Sequence, residues 1–338
     1  MKNIIISQLL IAGMFTPVWS NGIEDLRALD LGRIDMKTIK DVQSPAVPGL
    51  PLSADGPGFC VFSGVTGEAG NMDTVKAAVA KSRAVYVGET HDQANDHLAQ
   101  LEALKMLYAV RGKDTAVGFE MLNVKLQPIL DSYASGAISE AEFLVKADWK
   151  KEWGFPFEIY KPIFDFVREK GLKAFALNIP RGIVSKVARN GLKALTAEEN
   201  ALLPADMQMS KDPRYLDFLR ESFDGHGASP MPSTITWENY LDAMMIWNEV
   251  MGAGAAAYLN SNPAGGIVVV AGNGHVQYNA AIPFSTARRV PGLESASFYT
   301  EGAQACPSSL TEEMKGMADF VWYLQHTEAP AKTKELPL

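Results

Sequence analysis

Cysteine is nearly absent, with Cys60 and Cys306 the only two in a chain of 338 residues. That count excludes a disulfide-dense small scaffold and a Cys-rich zinc module. Histidine is scarce as well, at five residues. Positive charge is in deficit: 31 Lys and Arg against 39 Asp and Glu leave a formal net charge of -8. An acidic chain of this kind is a poor partner for nucleic acid or anionic lipid, and no nucleic-acid role is expected. Beyond the N-terminus no apolar run approaches the roughly 18 uninterrupted residues of a membrane span, so the mature protein is expected to be soluble. The sequence shows no internal repeat, P-loop, Gly-x-Ser-x-Gly elbow or His-Glu-x-x-His motif. What remains is an ordinary globular balance, 47% hydrophobic and 21% charged, which excludes whole-chain disorder, collagen and coiled coil.

The opening twenty residues are the compositional exception, holding one charge, Lys2, and no acid. An apolar stretch from Ile4 to Phe15 of roughly a dozen residues is too short to span a bilayer. A basic start, a short apolar core and the small residue Ser20 before Asn21 describe a secretory signal peptide over residues 1–20. A periplasmic or secreted protein follows. No cysteine stands after the apolar run, so lipid anchoring is not expected. In an oxidising compartment Cys60 and Cys306 either pair, tying the two ends of the domain together, or stay as separate buried thiols.

Residues 21–72 are polar and rich in Pro and Gly and read as an irregular lead-in, with a short strand near 59–62. Short apolar runs then alternate with helical patterns. Strands are expected at 84–87, 115–119, 173–177 and 266–271, and weaker ones at 295–300 and 319–325. Helices are expected at 73–81, 96–110, 125–135, 140–147, 158–170, 180–191 and 237–259. This order predicts an α/β domain over 73–327: a mainly parallel central sheet, covered by helices on both sides, with a helical insertion. Residues 328–338 read as a frayed tail.

In an open parallel sheet, ligands bind beyond the carboxyl ends of the strands. Those ends are Gly88-Glu89-Thr90-His91-Asp92, Glu120-Met121, Asn178-Ile179-Pro180-Arg181 and Gly272-Asn273-Gly274-His275. An apolar strand that finishes in a buried carboxylate without a partner is costly, so four polar strand ends point to one site. Glu89, His91, Glu120 and His275 are its chemical groups, and Gly88, Asn178, Gly272 and Asn273 its lining. Two His with two Glu can hold a divalent metal such as Zn, Mn or Co. Equally, they can work as acid–base partners, Glu raising the pKa of His. His97, His226 and His326 read as structural, His97 as peripheral on its helix.

Residues 148–167 crowd together Trp149, Trp153, Phe155, Phe157, Tyr160, Phe164 and Phe166. Periodicity alone makes this a core stripe. Its functional alternative is a platform for a planar ligand, with a tyrosine phenolate able to ligate haem iron.

Several segments together resemble the ChaN-like haem-binding family, which is similar to the Tiki and TraB group. They are Val85-Tyr86-Val87-Gly88-Glu89-Thr90-His91-Asp92, Gly118-Phe119-Glu120-Met121, Trp153-Gly154-Phe155-Pro156 with Tyr160, Ala176-Leu177-Asn178-Ile179-Pro180-Arg181 and Ala271-Gly272-Asn273-Gly274-His275-Val276. The likeness runs over about residues 80–290. It implies an exported protein of haem or iron uptake, serving an outer-membrane haem-uptake system and often a homodimer. It also implies haem held by a tyrosine. Tyr160 lies in the matching aromatic motif and is the expected ligand, with Tyr133, Tyr240 and Tyr278 as rivals. Trp153 would flank the haem, and Arg181 or Lys161 would meet its propionates. Two departures stand out: the lipid-attachment cysteine is missing, and Asn248 stands between Trp247 and Glu249 where relatives tend to carry aspartate. The competing expectation is a Tiki-like metal-dependent hydrolase built on Glu89, His91, Glu120 and His275. A third is a hydrolase or transferase with His91 as base and no metal.

Overall fold

A computed structural model describes residues 59–224 and 235–326; the expected leader, most of the lead-in, His226 and the tail lie outside the described residues. Seven strands form one sheet: β1 (Phe59–Ser63), β2 (Ala84–Val87), β3 (Thr115–Asn123), β4 (Lys173–Asn178), β5 (Gly266–Val270), β6 (Ser295–Gly302) and β7 (Phe320–Leu324). Their order across the sheet is β1-β7-β6-β2-β5-β3-β4. Every neighbouring pair is parallel except β1 with β7, which runs antiparallel with Phe59 opposite Leu324. The expected mainly parallel α/β sheet is therefore the observed one. The short strand expected near 59–62 is observed as the edge strand β1.

The helices are α1 (Met72–Lys81), α2 (Ala94–Arg111), α3 (Gln127–Ala134), α4 (Glu140–Lys146), α5 (Trp149–Glu152), α6 (Phe157–Lys170), α7 (Arg181–Asn190), α8 (Ala197–Asn200), α9 (Pro213–Asp224), α10 (Trp237–Ser261) and α11 (Ile282–Arg289). Local chemistry sets several ends. Asn71 caps α1 by accepting from the Thr74 N–H at 2.9 Å, and Ser139 with Glu142 makes a capping box on α4. Gly171 closes α6 in a left-handed conformation, φ 61°, that only glycine adopts readily.

The central strands are buried on both faces, which is why they read as continuous apolar runs. Side chains alternate between two cores. Val85, Val87, Val117, Phe119, Val268 and Val270 pack with α1, α2 and α6. Ala84, Tyr86, Ala116, Ile267 and Val269 pack with α10 and α11. A separate apolar cluster of Ile183, Val187, Tyr215, Leu219, Tyr240 and Met244 joins α7, α9 and the first half of α10; this is the helical insertion. No described helix is long and apolar enough to cross a membrane.

Cys60 on β1 is bonded to Cys306 beyond β6, with Cα atoms 5.8 Å apart and a sequence separation of 246. The bond fastens the edge strand to the chain that follows β6. A cross-link restricts the unfolded ensemble, more so for a long loop. The double variant Cys60→Ser/Cys306→Ser is expected to lose about 2–4 kcal/mol of stability. Denaturant unfolding of both forms, with and without reductant, measures the difference.

Candidate functional site at the carboxyl edge of the sheet

β5 lies between β2 and β3, and all three run parallel. Their carboxyl ends therefore meet at one edge, which brings Glu89, Glu120 and the 272–275 turn together. β3 runs farther than expected, to Asn123. Phe119 is opposite Ala176 and Asn123 opposite Asn178, so β3 carries two extra residues at a bulge. A bulge re-aims side chains, and Glu120 lies in this one.

Glu89 is fully buried. Its Oε1 accepts from His91 Nδ1 at 2.8 Å and from the Tyr160 hydroxyl at 3.0 Å. Its Oε2 accepts from Gln100 Nε2 at 2.7 Å and faces His97 Nδ1 at 3.2 Å. Burial alone would raise the pKa of this carboxyl, but the charges and hydrogen bonds of His97 and His91 outweigh it and hold it well below the usual range. Burial likewise works against charge on both histidines, yet Glu89 raises each above the ordinary value.

His97 is thus not peripheral. It sits buried in the first turn of α2 with its ring 4.0 Å from that of Tyr160, bonded through Nε2 to the His91 carbonyl at 3.2 Å. A first-turn position suggests an outward-facing side chain, but here Asp96 and His97 are buried while Ala94 and Asn95 are only partly covered. Asp96, beside it, was missed by sequence reasoning. It is fully buried and accepts from Thr90 N–H at 2.7 Å, Thr300 Oγ1 at 2.9 Å and His326 Nε2 at 2.7 Å. The polar run Thr90 to Asp96 was its only sequence signal.

Glu120 forms a second centre. Its Oε1 faces His275 Nε2 at 3.0 Å and its Oε2 accepts from the Gly272 N–H at 2.6 Å. Burial opposes its charge, and His275, His91 and the Gly272 amide together lower its pKa nonetheless. His275 Nδ1 lies 2.6 Å from Asn248 Oδ1, and Asn248 donates on to the Tyr215 hydroxyl at 2.9 Å. A neutral amide therefore orients this imidazole at the position where an acid was expected in relatives. Gly88 and Asn273 tie this edge of the sheet to β6. Asn273 bonds Thr300 N–H and carbonyl on β6 at 3.1 and 2.8 Å, and Gly88 N–H bonds the Phe298 carbonyl at 2.8 Å. Asn178 donates to the Glu120 carbonyl at 2.8 Å.

His91 joins the two centres. Its side chain is 14% exposed, with Trp153 and Phe155 rings 4.7 and 5.1 Å away. Gly272 presses against it, and a Cβ there would fall 2.7 Å from His91 Cε1. Among the described residues, no three His, Cys, Asp or Glu side chains form a cation-binding group. Both His275 nitrogens already face protein partners.

The tyrosine expectation changes. Tyr160 is fully buried, its hydroxyl committed to Glu89 and to the His91 carbonyl. Burial first and the Glu89 charge second raise its pKa well above 10. Such a phenol stays protonated and away from the surface, so Tyr160 is a support for Glu89. Tyr133 and Tyr240 are fully buried too. Of the four named tyrosines only Tyr278 reaches solvent. It sits three residues after His275 at φ 57°, with the Arg214 guanidinium 4.9 Å over its ring. Arg181 begins α7 at the same sheet edge, partly exposed. Lys161 is tied to Glu140 at 2.5 Å and Asp165 at 3.1 Å.

The haem-binding uptake family of the Tiki superfamily, ChaN, matches this chain over residues 75–285. The protein belongs to the ChaN family. No curated protein matches it. Among solved structures it is similar to ChaN of Campylobacter jejuni, described with cofacial haem binding, at TM-score 0.60 and 14% identity over 79% of this chain and 97% of that one. It is more distantly similar to the type III effector HopBA1, at TM-score 0.43 and 10% identity over 75% and 93% of the two chains. An erythromycin esterase in its open conformation gives TM-score 0.41 and 14% identity over 68% and 72%. The ChaN member's strand-end cluster has a pH signature. Depressed Glu89 contributes stability above the unfolded carboxyl pKa, about 4.3, and loses it as pH falls further. His91 and His97, both raised, contribute fully below about 6.5 and lose it as pH climbs through their higher folded values. Stability from this cluster should therefore peak between about pH 4.5 and 6.5, and Glu89→Gln should flatten both flanks; chemical denaturation across pH reads this out. Gly272→Ala should also lower the melting temperature by displacing His91, at a cost of about 1–3 kcal/mol.

Proposed function

We propose that this ChaN-family protein is exported and binds haem for haem or iron uptake, holding it through a tyrosine. The family match across well over half of the chain carries the reading. The leader expected at residues 1–20 and the Cys60–Cys306 bond both support export, since disulfides persist in oxidising compartments. A homodimer and an outer-membrane uptake partner belong to the same reading.

A haem ligand needs a phenol that reaches solvent and a base near the propionates. Tyr278 beside exposed Arg214 fits this, with Arg181 on the same edge. The fit is better than that of Tyr160. Burial raises the Tyr278 pKa while Arg214 lowers it. Coordination to ferric iron is the chemistry that would draw off its proton. The protein's own contribution is to hold the ring on a left-handed turn, fixed by the Tyr278 N–H to the Met317 carbonyl at 2.6 Å. A metal-dependent hydrolase is the weaker reading, because His275 would have to leave both Glu120 and Asn248 to bind an ion.

Haemin titrated into apo-protein should give a Soret band of tyrosinate type. Tyr278→Phe should weaken binding by about tenfold or more, one hydrogen-bond-scale interaction or greater, while Tyr160→Phe should keep the band and lower stability. No spectral change at micromolar haemin would overturn the haem reading. A band lost in Tyr160→Phe alone would overturn the choice of Tyr278.

A further inference from the structure

We propose that the Cys60–Cys306 bond is a latch, opened by a dithiol, on the turn that carries Tyr278. The proposal rests on the reading of Tyr278 as the haem ligand and gives that site a means of release. The latch acts through the crossover between β6 and β7, residues 303–319. Parallel neighbours are usually joined through a helix, but this crossover consists of turns and bends. Leu310 and Met314 anchor it in a small apolar cluster of its own with Phe62, Val321 and Tyr323. The bond to Cys60 supplies the hold that a packed helix would otherwise give.

The far end of the same crossover shapes the Tyr278 turn. Tyr278 and Asn279 are consecutive non-glycine residues in the left-handed region, at φ 57° and 55°. Such a conformation persists only where the surroundings impose it. The crossover imposes it twice. The Tyr278 N–H donates to the Met317 carbonyl at 2.6 Å, and Asn279 Nδ2 donates to Asp319 Oδ1 at 3.1 Å. Gly316 also sets the guanidinium over the Tyr278 ring, since a Cβ there would fall 2.5 Å from Arg214 Nη1. β1 is tied to the same stretch. Gly64, just after the strand, donates to the Asp319 carbonyl and accepts from the Gly316 N–H, both at 2.8 Å. Cys60 and Cys306 therefore clamp this cluster between β1 and the crossover, and both hydrogen bonds to the Tyr278 turn lie on the clamped segment. Edge elements with few buried contacts open first, so loss of the bond loosens this edge before the central strands.

Cys306 is exposed and Cys60 partly so, an accessibility typical of labile disulfides rather than permanent ones. The reductant is a dithiol, such as a Cys-x-x-Cys pair on an oxidoreductase. Its first thiolate attacks Cys306 Sγ; the Cys60–Cys306 bond breaks, and Cys60 leaves as a thiolate and takes a proton. The second thiolate attacks the first sulfur in the mixed disulfide. Cys306 then leaves and takes a proton, and the dithiol closes its own disulfide. Two electrons and two protons pass from the dithiol to the protein.

The test is amide hydrogen exchange on the full chain without haem, oxidised and after reduction with dithiothreitol. Exchange across residues 276–281 should quicken about tenfold or more on reduction. β2, β3 and β5 should stay unchanged, and reoxidation should restore the slow rate. Haemin is titrated into Cys60→Ser/Cys306→Ser instead of the reduced protein, because dithiothreitol thiolates would themselves ligate haem iron. Affinity should fall about tenfold or more, since a smaller fraction of molecules holds the binding turn. Should the double variant fail to fold, exchange in the reduced protein decides alone. Exchange at 276–281 unchanged on reduction, or quickened equally in the central strands, would overturn the latch. So would haemin binding by the folded double variant as tight as by the oxidised protein. Absence of haemin binding by the oxidised protein would overturn the haem reading instead, with the exchange result still deciding the latch.

Discussion

The buried carboxylate of Glu89 is the constraint around which this end of the molecule is arranged. An ionised group at 0% exposure is tolerable only if its oxygens are fully engaged, because desolvation costs several kcal/mol per ion. Its partners come from three places: His91 from the strand end, His97 and Gln100 from α2, and Tyr160 from α6. One charge thereby fixes the docking of two helices on the sheet. The aromatic stripe of α6 follows from this, since Phe157 and Phe164 pack beneath the same helix that delivers the Tyr160 hydroxyl.

The sheet order multiplies the effect. Because β5 separates β2 from β3, a second carboxylate, Glu120, comes to lie across the 272–275 turn from the first. Two Glu–His pairs then share one edge, with His91 between them. The pairs differ in rigidity. Glu89 has four side-chain contacts around it, while the Glu120–His275 pair is oriented through an amide, Asn248, and a phenol, Tyr215. The first pair opens to solvent through His91; the second is closed.

Much of this was legible in the sequence. Apolar runs ending in Glu or Gly-x-x-His identify the central strands and the edge where chemistry gathers, because buried parallel strands admit little else. Glu89, His91, Glu120 and His275 do converge. Pairing was harder to read. Sequence spacing could show that a His or Tyr falls on a helix, but not which group lies across from it. Asp96 was missed for that reason, His97 was expected to be peripheral, and the Tyr160 hydroxyl turns out to bond Glu89 and the His91 carbonyl. The aromatic crowding at 148–167 is mostly core, as its periodicity indicated, with Trp153 the member that borders His91. The bulge in β3 was illegible too, since two extra residues in an apolar run leave no mark on its period.

The antiparallel edge pair has a consequence for how the chain is made. Among the described residues, β1 at residues 59–63 has its only strand partner in β7 at residues 320–324. During synthesis this strand must therefore wait, unpaired, until residues 320–324 have emerged. Pairings so distant in sequence form late, and a waiting edge is open to wrong neighbours. The sheet can complete itself only once residues 320–324 have been made, so its first strand is the last to be paired.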